Sequence, residues 1–316
     1  MDEEHVVGGT RIGWRDIPPS VLAWAEAELG SPIVAAVDER GGFSPGAATR
    51  LQCADGTHAF VKAVGDELNP ISPAMHRRES AITARLPPSV MVPKLRAAYD
   101  DGSWVALLFD EIDGRLPRLP WATDELDRVL DAVPRLHDAL TPCPIEDVAT
   151  VGDLWAEQFD GWRSLMRDGA AASLDAWTGR HLDRLVAFEA SWTAASEGDT
   201  LLHGDLRVDN ILLSRDSVVF VDWANACRGA AWFDIVAMAP SVAMQGGPPP
   251  EAFVTHDAAT AAADPDAVTT IIVAFTGYLV HRGTLPPPPG LPTLRSFQAA
   301  QGRVALEWLR ERTGWP

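Results

Sequence analysis

The sequence predicts an α+β chain in two parts: a small, mostly antiparallel sheet with one inserted helix, then a larger and mostly helical part. Three observations carry this. An Asp55-Gly56 dipeptide separates two runs of alternating apolar residues, a strong hairpin signal. After Asp113-Gly114 the pattern turns helical, from Thr123 to Leu140 and from Val151 to Ser196. Inside that helical part, TLLHGDLRVDNILLSRDSVVFVDW breaks the period and reads as loop, strand, turn and strand. The division expected is therefore 1–113 and 114–316.

Each element has its own justification. IPPSVLAWAEAEL, residues 17–29, has Pro and Ser at its start and Gly30 at its end, the punctuation of a short helix. SPIVAAVDER follows as a strand, and GGFSPG (Gly41 to Gly46) as a loop with three glycines. ATRLQCADGTHAFVKAV is the hairpin. AMHRRESAITARL places Met75, Glu79, Ile82 and Leu86 at helical spacing on one face. VPKLRAAYDDGSWVALLFDEI supplies two more strands around Asp100-Asp101-Gly102. The apolar run Ala267 to Val280 is too short to span a bilayer and reads as a buried helix. Pro-rich connections at Gly246 to Pro250 and Leu285 to Pro292 read as plain loops.

Composition bounds the function. The chain has 316 residues, 47% hydrophobic and 22% charged, which is ordinary for globular domains. A net charge of −18 argues against nucleic acid as the main partner, because phosphate backbones recruit Lys and Arg. Cys53, Cys143 and Cys227 are too few and too scattered for a disulfide framework or a cysteine zinc site. The opening MDEEHVVGG lacks the apolar core of a secretory signal, so a cytoplasmic location with no membrane association is expected. Only Lys62 and Lys94 are lysines among 26 basic residues; in an arginine-rich chain, a lysine raises the question of whether its compact ammonium is required.

The chemistry concentrates at His203-Gly204-Asp205, followed by Asn210 and, after a β-rich stretch, by Asp222-Trp223. Phosphoryl transfer needs such a set: one carboxylate to orient an incoming hydroxyl, and an amide and a second carboxylate to hold Mg²⁺ against a triphosphate. At these residues the chain resembles the aminoglycoside phosphotransferase-like small-molecule kinases, relatives of the protein-kinase fold. The resemblance spans most of the chain in element order and is sharpest over Leu201 to Asp234. It implies a bilobal protein-kinase-like fold, Asp205 as catalytic base, and Asn210 and Asp222 as metal ligands.

The same resemblance organises the first part. Lys62, in AFVKAV, would face the α- and β-phosphates, and Glu79, 17 residues later, would hold it. Gly42, Phe43 and Ser44 lie where a phosphate-covering loop belongs. Phe109, Asp110, Glu111 and Ile112 would form the hinge against adenine, and Leu212 the floor beneath it. Arg207 would neutralise charge on the γ-phosphate or pair with Asp209. His203 and Asp234 would brace the catalytic loop. The cofactors implied are ATP, with GTP an open alternative, and Mg²⁺.

One rival motif is present. Gly42-Phe43-Ser44-Pro45-Gly46 matches G-x-S-x-G, the nucleophile elbow of hydrolases, but the elbow needs a helix directly after its serine, and here a strand is expected. The absence of an APE segment disfavours a protein substrate. The acceptor expected is a small-molecule alcohol: an aminoglycoside or other antibiotic, or a sugar, amino alcohol or nucleoside-like metabolite. Asp153, Glu157 and Asp160 at i, i+4, i+7 would suit a polycation if they line a pocket, and a solvated helix face accounts for them equally. A catalytically silent nucleotide-binding module is the alternative from another class. The sequence carries no sign of the oligomeric state.

Overall fold

The computed structural model describes residues 8–169 and 174–316. Residues 1–7, and residues 170–173 of the stretch expected to be helical from its period, lie outside the described residues. By contact clustering the chain forms two compact units: Met1–Leu116 with Asp209–Asn225 and Pro287–Leu294, and Pro117–Val208 with Ala226–Pro286 and Arg295–Pro316.

The first unit is built on a five-stranded antiparallel sheet, β1 (Ile33–Asp38), β2 (Ala47–Cys53), β3 (His58–Gly65), β4 (Leu95–Asp100) and β5 (Trp104–Asp110), in spatial order β1-β2-β3-β5-β4. β5 is apolar and buried along most of its length because it is interior to the sheet and covered on both faces. β1 and β4 are edges; β4 alternates between half-buried and exposed, and β1 leaves Val34 and Val37 in solvent. Helix α1 (Pro19–Leu29) ends at Gly30 with φ 67°, a left-handed cap. Its Val21 and Ala25 pack on one sheet face with Trp14, Leu51, Val61, Trp104 and Leu108. Because side chains alternate along a strand, Ala59, Val61 and Ala63 of β3 join that core, whereas Phe60 packs with Val105, Leu107 and Phe109 on the other face. Lys62 shares that second face with Phe60.

Helix α2 (Ser72–Thr83) is the inserted helix. Its buried face is Ser72, His76, Glu79, Ile82 and Thr83, so the face expected from the sequence holds at Glu79 and Ile82. Met75 lies partly buried at its margin, and Leu86 falls beyond the helix end. The hairpin β7 (Ile211–Leu213) and β8 (Val218–Phe220), with register Leu212↔Val219, groups with this unit rather than with the helical part around it in sequence. Backbone bonds tie it there: Arg115 and Leu213 exchange N–H···O contacts at 3.1 and 2.7 Å, and Phe220 N–H donates to Met91 O at 3.1 Å. The Pro-rich stretch after Leu285 is more than a connection. Pro289 O accepts from Asn69 Nδ2 and Gly290 O from Thr10 N–H, at 2.9 and 2.8 Å.

The second unit contains α3 (Thr123–Ala139), α4 (Val151–Leu154), α5 (Gly161–Arg167), α6 (Ala176–Glu189), α7 (Trp192–Ala195), α8 (Phe233–Met244), α9 (Pro250–His256), α10 (Ala258–Ala262), α11 (Pro265–Thr284) and α12 (Leu294–Thr313), whose first residue clusters with the other unit. A short ladder, β6 (Thr200–Leu202) with β9 (Cys227–Gly229), completes it. The 151–196 stretch, helical by period, holds four separate helices among the described residues, α4 to α7. α11 carries the apolar run, buried from Val268 through Leu279 on most positions. No helix among the described residues is long and apolar enough to cross a membrane.

Glycines set the closest crossing in this unit. A Cβ at Gly161 would lie 2.1 Å from Gly277 O, so α5 meets the α11 backbone directly. Glu189 of α6 secures the same junction, its two carboxylate oxygens accepting the N–H groups of Trp162 and Arg163 at 2.9 and 3.0 Å. Substituting Gly161→Ala forces the helices apart and should lower stability by about 1–3 kcal/mol, the usual cost of overpacking. The urea midpoint of the variant reads this directly.

Candidate active site

In the first unit a cavity of about 500 Å³ is lined by residues that the sequence separates by more than 200 positions. Lys62 reaches it from β3 and Glu79 from α2; Lys62 Nζ donates to Glu79 Oε1 at 2.7 Å and lies 3.5 Å from Asp222 Oδ1. Asn210 and Asp222 come to the same end of the hairpin because Val221 N–H donates to Asn210 O at 3.0 Å, one step beyond the Ile211↔Phe220 pair. Asp222 has φ 69°, the left-handed region that few non-glycine residues occupy. Its side chain is 42% exposed, with Oδ1 3.5 Å from the Lys62 ammonium. The 3₁₀ turn Trp223–Asn225 that follows it packs on α2, where Arg78 Nη1 donates to Ala224 O at 3.4 Å.

The electrostatics follow from burial. Burial pulls the Lys62 ammonium down, but the charges of Asp222 and Glu79 overcome it, and its pKa ends above the ordinary value. Burial pushes Glu79 up, to about 7, against the pull of Lys62 and with the repulsion of Asp222. His76, one turn before Glu79, is driven down to about 3 by burial and by Lys62, so it is neutral.

The other expected nucleotide contacts divide. Gly42, Phe109, Asp110, Ile112 and Leu212 line the cavity, and Phe43, Ser44 and Glu111 are not among its lining residues. Ser44 packs toward the N-terminal segment instead; a Cβ on Gly9 would meet its carbonyl oxygen at 2.8 Å. A strand, not a helix, follows it at Ala47, which removes the hydrolase elbow. Glu111 is held by Arg50 Nη1 and His58 Nδ1, at 2.8 and 2.9 Å. At the expected adenine contact, the Asp110 N–H already donates to Lys94 O at 2.9 Å. Arg11, Arg50 and Phe60 also line the cavity and had not been expected. Phe60 was legible in principle, two residues before Lys62 on the same strand face. Arg11 was not, since nothing local links it to residue 62.

The second unit holds the His203-Gly204-Asp205 segment. Asp234 at the start of α8 anchors it: Oδ2 accepts from His203 N–H at 2.9 Å and from His137 Nε2 at 3.1 Å, and Oδ1 from Gly204 N–H at 2.9 Å. His203 is fully buried, and its Nδ1 accepts from Asp205 N–H at 3.3 Å. Arg207 Nη1 donates to Asp205 Oδ1 at 2.9 Å. Asp153, a candidate for an acidic acceptor face, belongs to a capping box with Thr150; α4 ends at Leu154, so Asp153, Glu157 and Asp160 share no helix face.

Burial alone would raise the Asp234 carboxyl, but its hydrogen bond from His137 and its other donors leave it below the ordinary range. A carboxyl held low contributes stability above its unfolded pKa and loses it as pH falls through the folded value. Asp234→Ala should therefore cost about 3–5 kcal/mol at pH 7, the usual result of stripping one partner from a buried charged network. The gap between wild type and variant should narrow below about pH 4, as denaturation midpoints at the two pH values would report.

Comparison with known proteins follows the same lines. Residues 56–268 match the model of the phosphotransferase enzyme family, APH. No curated protein matches the chain. Among solved structures it is similar to a thermostable mutant of aminoglycoside phosphotransferase APH(4)-Ia in ternary complex with ADP and hygromycin B, with a TM-score of 0.62 and 11% identity over 94% of this chain and 100% of that one. It is also similar to aminoglycoside phosphotransferase APH(3'')-Id from Streptomyces rimosus ATCC10970 in complex with ADP and streptomycin (TM-score 0.52, 18% identity, 83% of this chain and 99% of that one). A putative fructosamine-3-kinase from Haemophilus somnus 129PT aligns at TM-score 0.56 and 13% identity, over 91% and 96% of the two chains. Identities this low speak for the fold, which is the kinase-like α+β fold expected. The family match covers about two thirds of the sequence and runs through Lys62, Glu79, Asp205, Asn210 and Asp222; the chain belongs to the phosphotransferase enzyme family and is a small-molecule kinase.

Proposed function

We propose that the protein is an ATP- and magnesium-dependent O-phosphotransferase that moves the γ-phosphoryl group to the hydroxyl of a small molecule. The observation that carries this reading is the Lys62 ammonium, buried within hydrogen-bond reach of Glu79 and 3.5 Å from Asp222, in a cavity also lined by Asn210. A lysine so placed binds phosphate oxygens, with Glu79 fixing its direction. Asn210 and Asp222 fit the metal by donor chemistry: magnesium takes hard oxygen ligands and is normally held by one or two carboxylates together with phosphates and water. No cluster of three or more His, Cys, Asp or Glu able to hold an ion occurs among the described residues. Bound to those two oxygens and the phosphates, the ion would neutralise charge developing on the transferred group.

The remaining roles belong to side chains. Asp205 orients the acceptor hydroxyl and takes its proton, and Arg207 holds the Asp205 carboxylate through Oδ1. Phe60, Phe109 and Leu212 offer apolar surface to a base, and hinge groups other than the Asp110 N–H serve its edge.

For the acceptor, the second unit favours a neutral or anionic alcohol over a polycation. Around Tyr278 stand Arg282, its Cζ 5.9 Å from the ring centroid, and Gln298, whose Nε2 donates to the Tyr278 hydroxyl at 2.9 Å and whose Oε1 accepts from Arg295. Arg207 Cζ lies 5.9 Å from the Phe297 ring. Arginines and aromatic faces recruit carboxylates, phosphates and flat heterocycles better than ammonium groups.

A mass-shift screen of alcohols with ATP and magnesium, antibiotics and metabolites included, tests the function; gain of one phosphate on a panel member is expected. Nucleotide binding without transfer across a broad panel would instead favour a silent binding module. Asp205→Asn should lower turnover by about 10²–10⁴-fold. Asp222→Gly should abolish turnover yet leave thermal stability within about 1 kcal/mol of wild type, since glycine relieves the left-handed strain. In a Lys62→Ala and Glu79→Ala cycle on kcat/KM, the double variant should lose little more than either single one, because the two act as a unit.

A further inference from the structure

Besides Lys62 the cavity is lined by Arg11, Arg50 and Arg115, and of these Arg11 and Arg50 lie outside the family match. Arg11 lies outside residues 56–268, yet its guanidinium lines the cavity with Gly41, Gly42, Lys62, Asp209 and Asp222. It is carried there by an N-terminal segment that crosses the glycine-rich loop. Gly8 forms a parallel bridge with Gly42, and Gly9 N–H donates to Gly42 O at 2.9 Å. Thr10 N–H is held by Gly290 O, and Gly8 N–H by Thr293 Oγ1 at 3.0 Å. Downstream, Trp14 is buried in the sheet core and its N–H donates to Asp38 Oδ1 at 3.0 Å. Both flanks of Arg11 are thus fixed before any ligand arrives.

The side chain spans the loop. Arg11 Nε and Nη2 donate to Gly41 O at 3.1 and 2.8 Å, and Nη1 makes a long contact with Gly46 O at 3.4 Å. Those bonds use one N–H on each nitrogen, and a guanidinium has two more, one on each terminal nitrogen. Burial depresses the Arg11 pKa below its ordinary value, although Asp222 and Asp209 act to raise it. Lys62 is the opposite case, raised by its carboxylate neighbours. An entering polyanion therefore finds Lys62 bonded to Glu79 and two guanidinium N–H groups of Arg11 still to be used.

We propose that Arg11 is a second phosphate-binding cation of the nucleotide site, held beneath the glycine-rich loop by the N-terminal segment. The inference rests on the nucleotide reading of the cavity. It makes the loop different in kind from one that relies on backbone amides alone: the loop carbonyls aim a guanidinium, and the guanidinium takes a phosphate oxygen.

Calorimetric titration of the full chain with ATP, ADP and adenosine, in excess magnesium, tests it. Arg11→Gln keeps a side-chain donor for Gly41 O and removes the charge. It should weaken ATP and ADP about tenfold or more, the loss of one charge-assisted bond, while adenosine changes by less than about twofold. Arg11→Lys should recover part of the ATP affinity, and Arg15→Gln, exposed on the same segment, should leave all three ligands unchanged. If Arg11→Gln weakens adenosine as much as ATP, or weakens neither, Arg11 is only a loop brace and the proposal falls. If wild-type protein binds none of the three, the nucleotide reading itself falls, and this inference with it.

Discussion

Lys62 places one ammonium beside two carboxylates on three different elements, and the first unit is arranged around that charge. An unpaired buried ammonium would deprotonate or drag water inward; a paired one can stay charged only if both partners arrive accurately. Glu79 comes from a helix inserted between β3 and β4, and Asp222 from the end of a hairpin far along the chain. The alternation of β3 turns Lys62 away from the α1 core, and the packing of α2 on the turn after Asp222 fixes the third corner. Each of these features would be unremarkable alone. Burial, with the like charge of Asp222 added, pushes Glu79 up to about 7 against the pull of Lys62. That is an arrangement waiting for further positive charge near Asp222, which a phosphate-bound divalent ion would bring.

What could be read from the sequence, and what could not, divides along contact range. The hairpin at Asp55-Gly56, the α1 stop at Gly30 and the buried run of α11 were legible because turn chemistry and periodicity are local. Lys62, Glu79, Asn210 and Asp222 were expected together because the resemblance to small-molecule kinases assigns each of them a place, and one cavity is lined by all four. The failures are places where distant backbone decides. The 151–196 stretch keeps a helical period, yet Gly161 must meet Gly277 and the chain bends to allow it. The Pro-rich stretch after Leu285 looked like a connection, but its carbonyls serve Asn69 and Thr10. Ser44 and Glu111 sit at the right positions in order, and their environments are claimed by the N-terminal segment and by Arg50.

The acidity of the chain deserves weighing against a polyanionic ligand. A net charge of −18 argues against long nucleic acid, whose binding integrates charge over an extended surface. It argues little against a nucleotide. At physiological ionic strength charges beyond about 8 Å are largely screened, so what a triphosphate meets is the lining of the cavity. There Arg11, Arg50, Lys62 and Arg115 stand with Glu39, Glu79, Asp110, Asp209 and Asp222, and Arg50 is spoken for by Glu39 and Glu111. Four cations against five carboxylates leave the lining close to balance, and Arg11 and Lys62 are held in place before binding. Preorganised charge of this kind is worth more than its count suggests, because no side-chain ordering remains to be done when the ligand arrives.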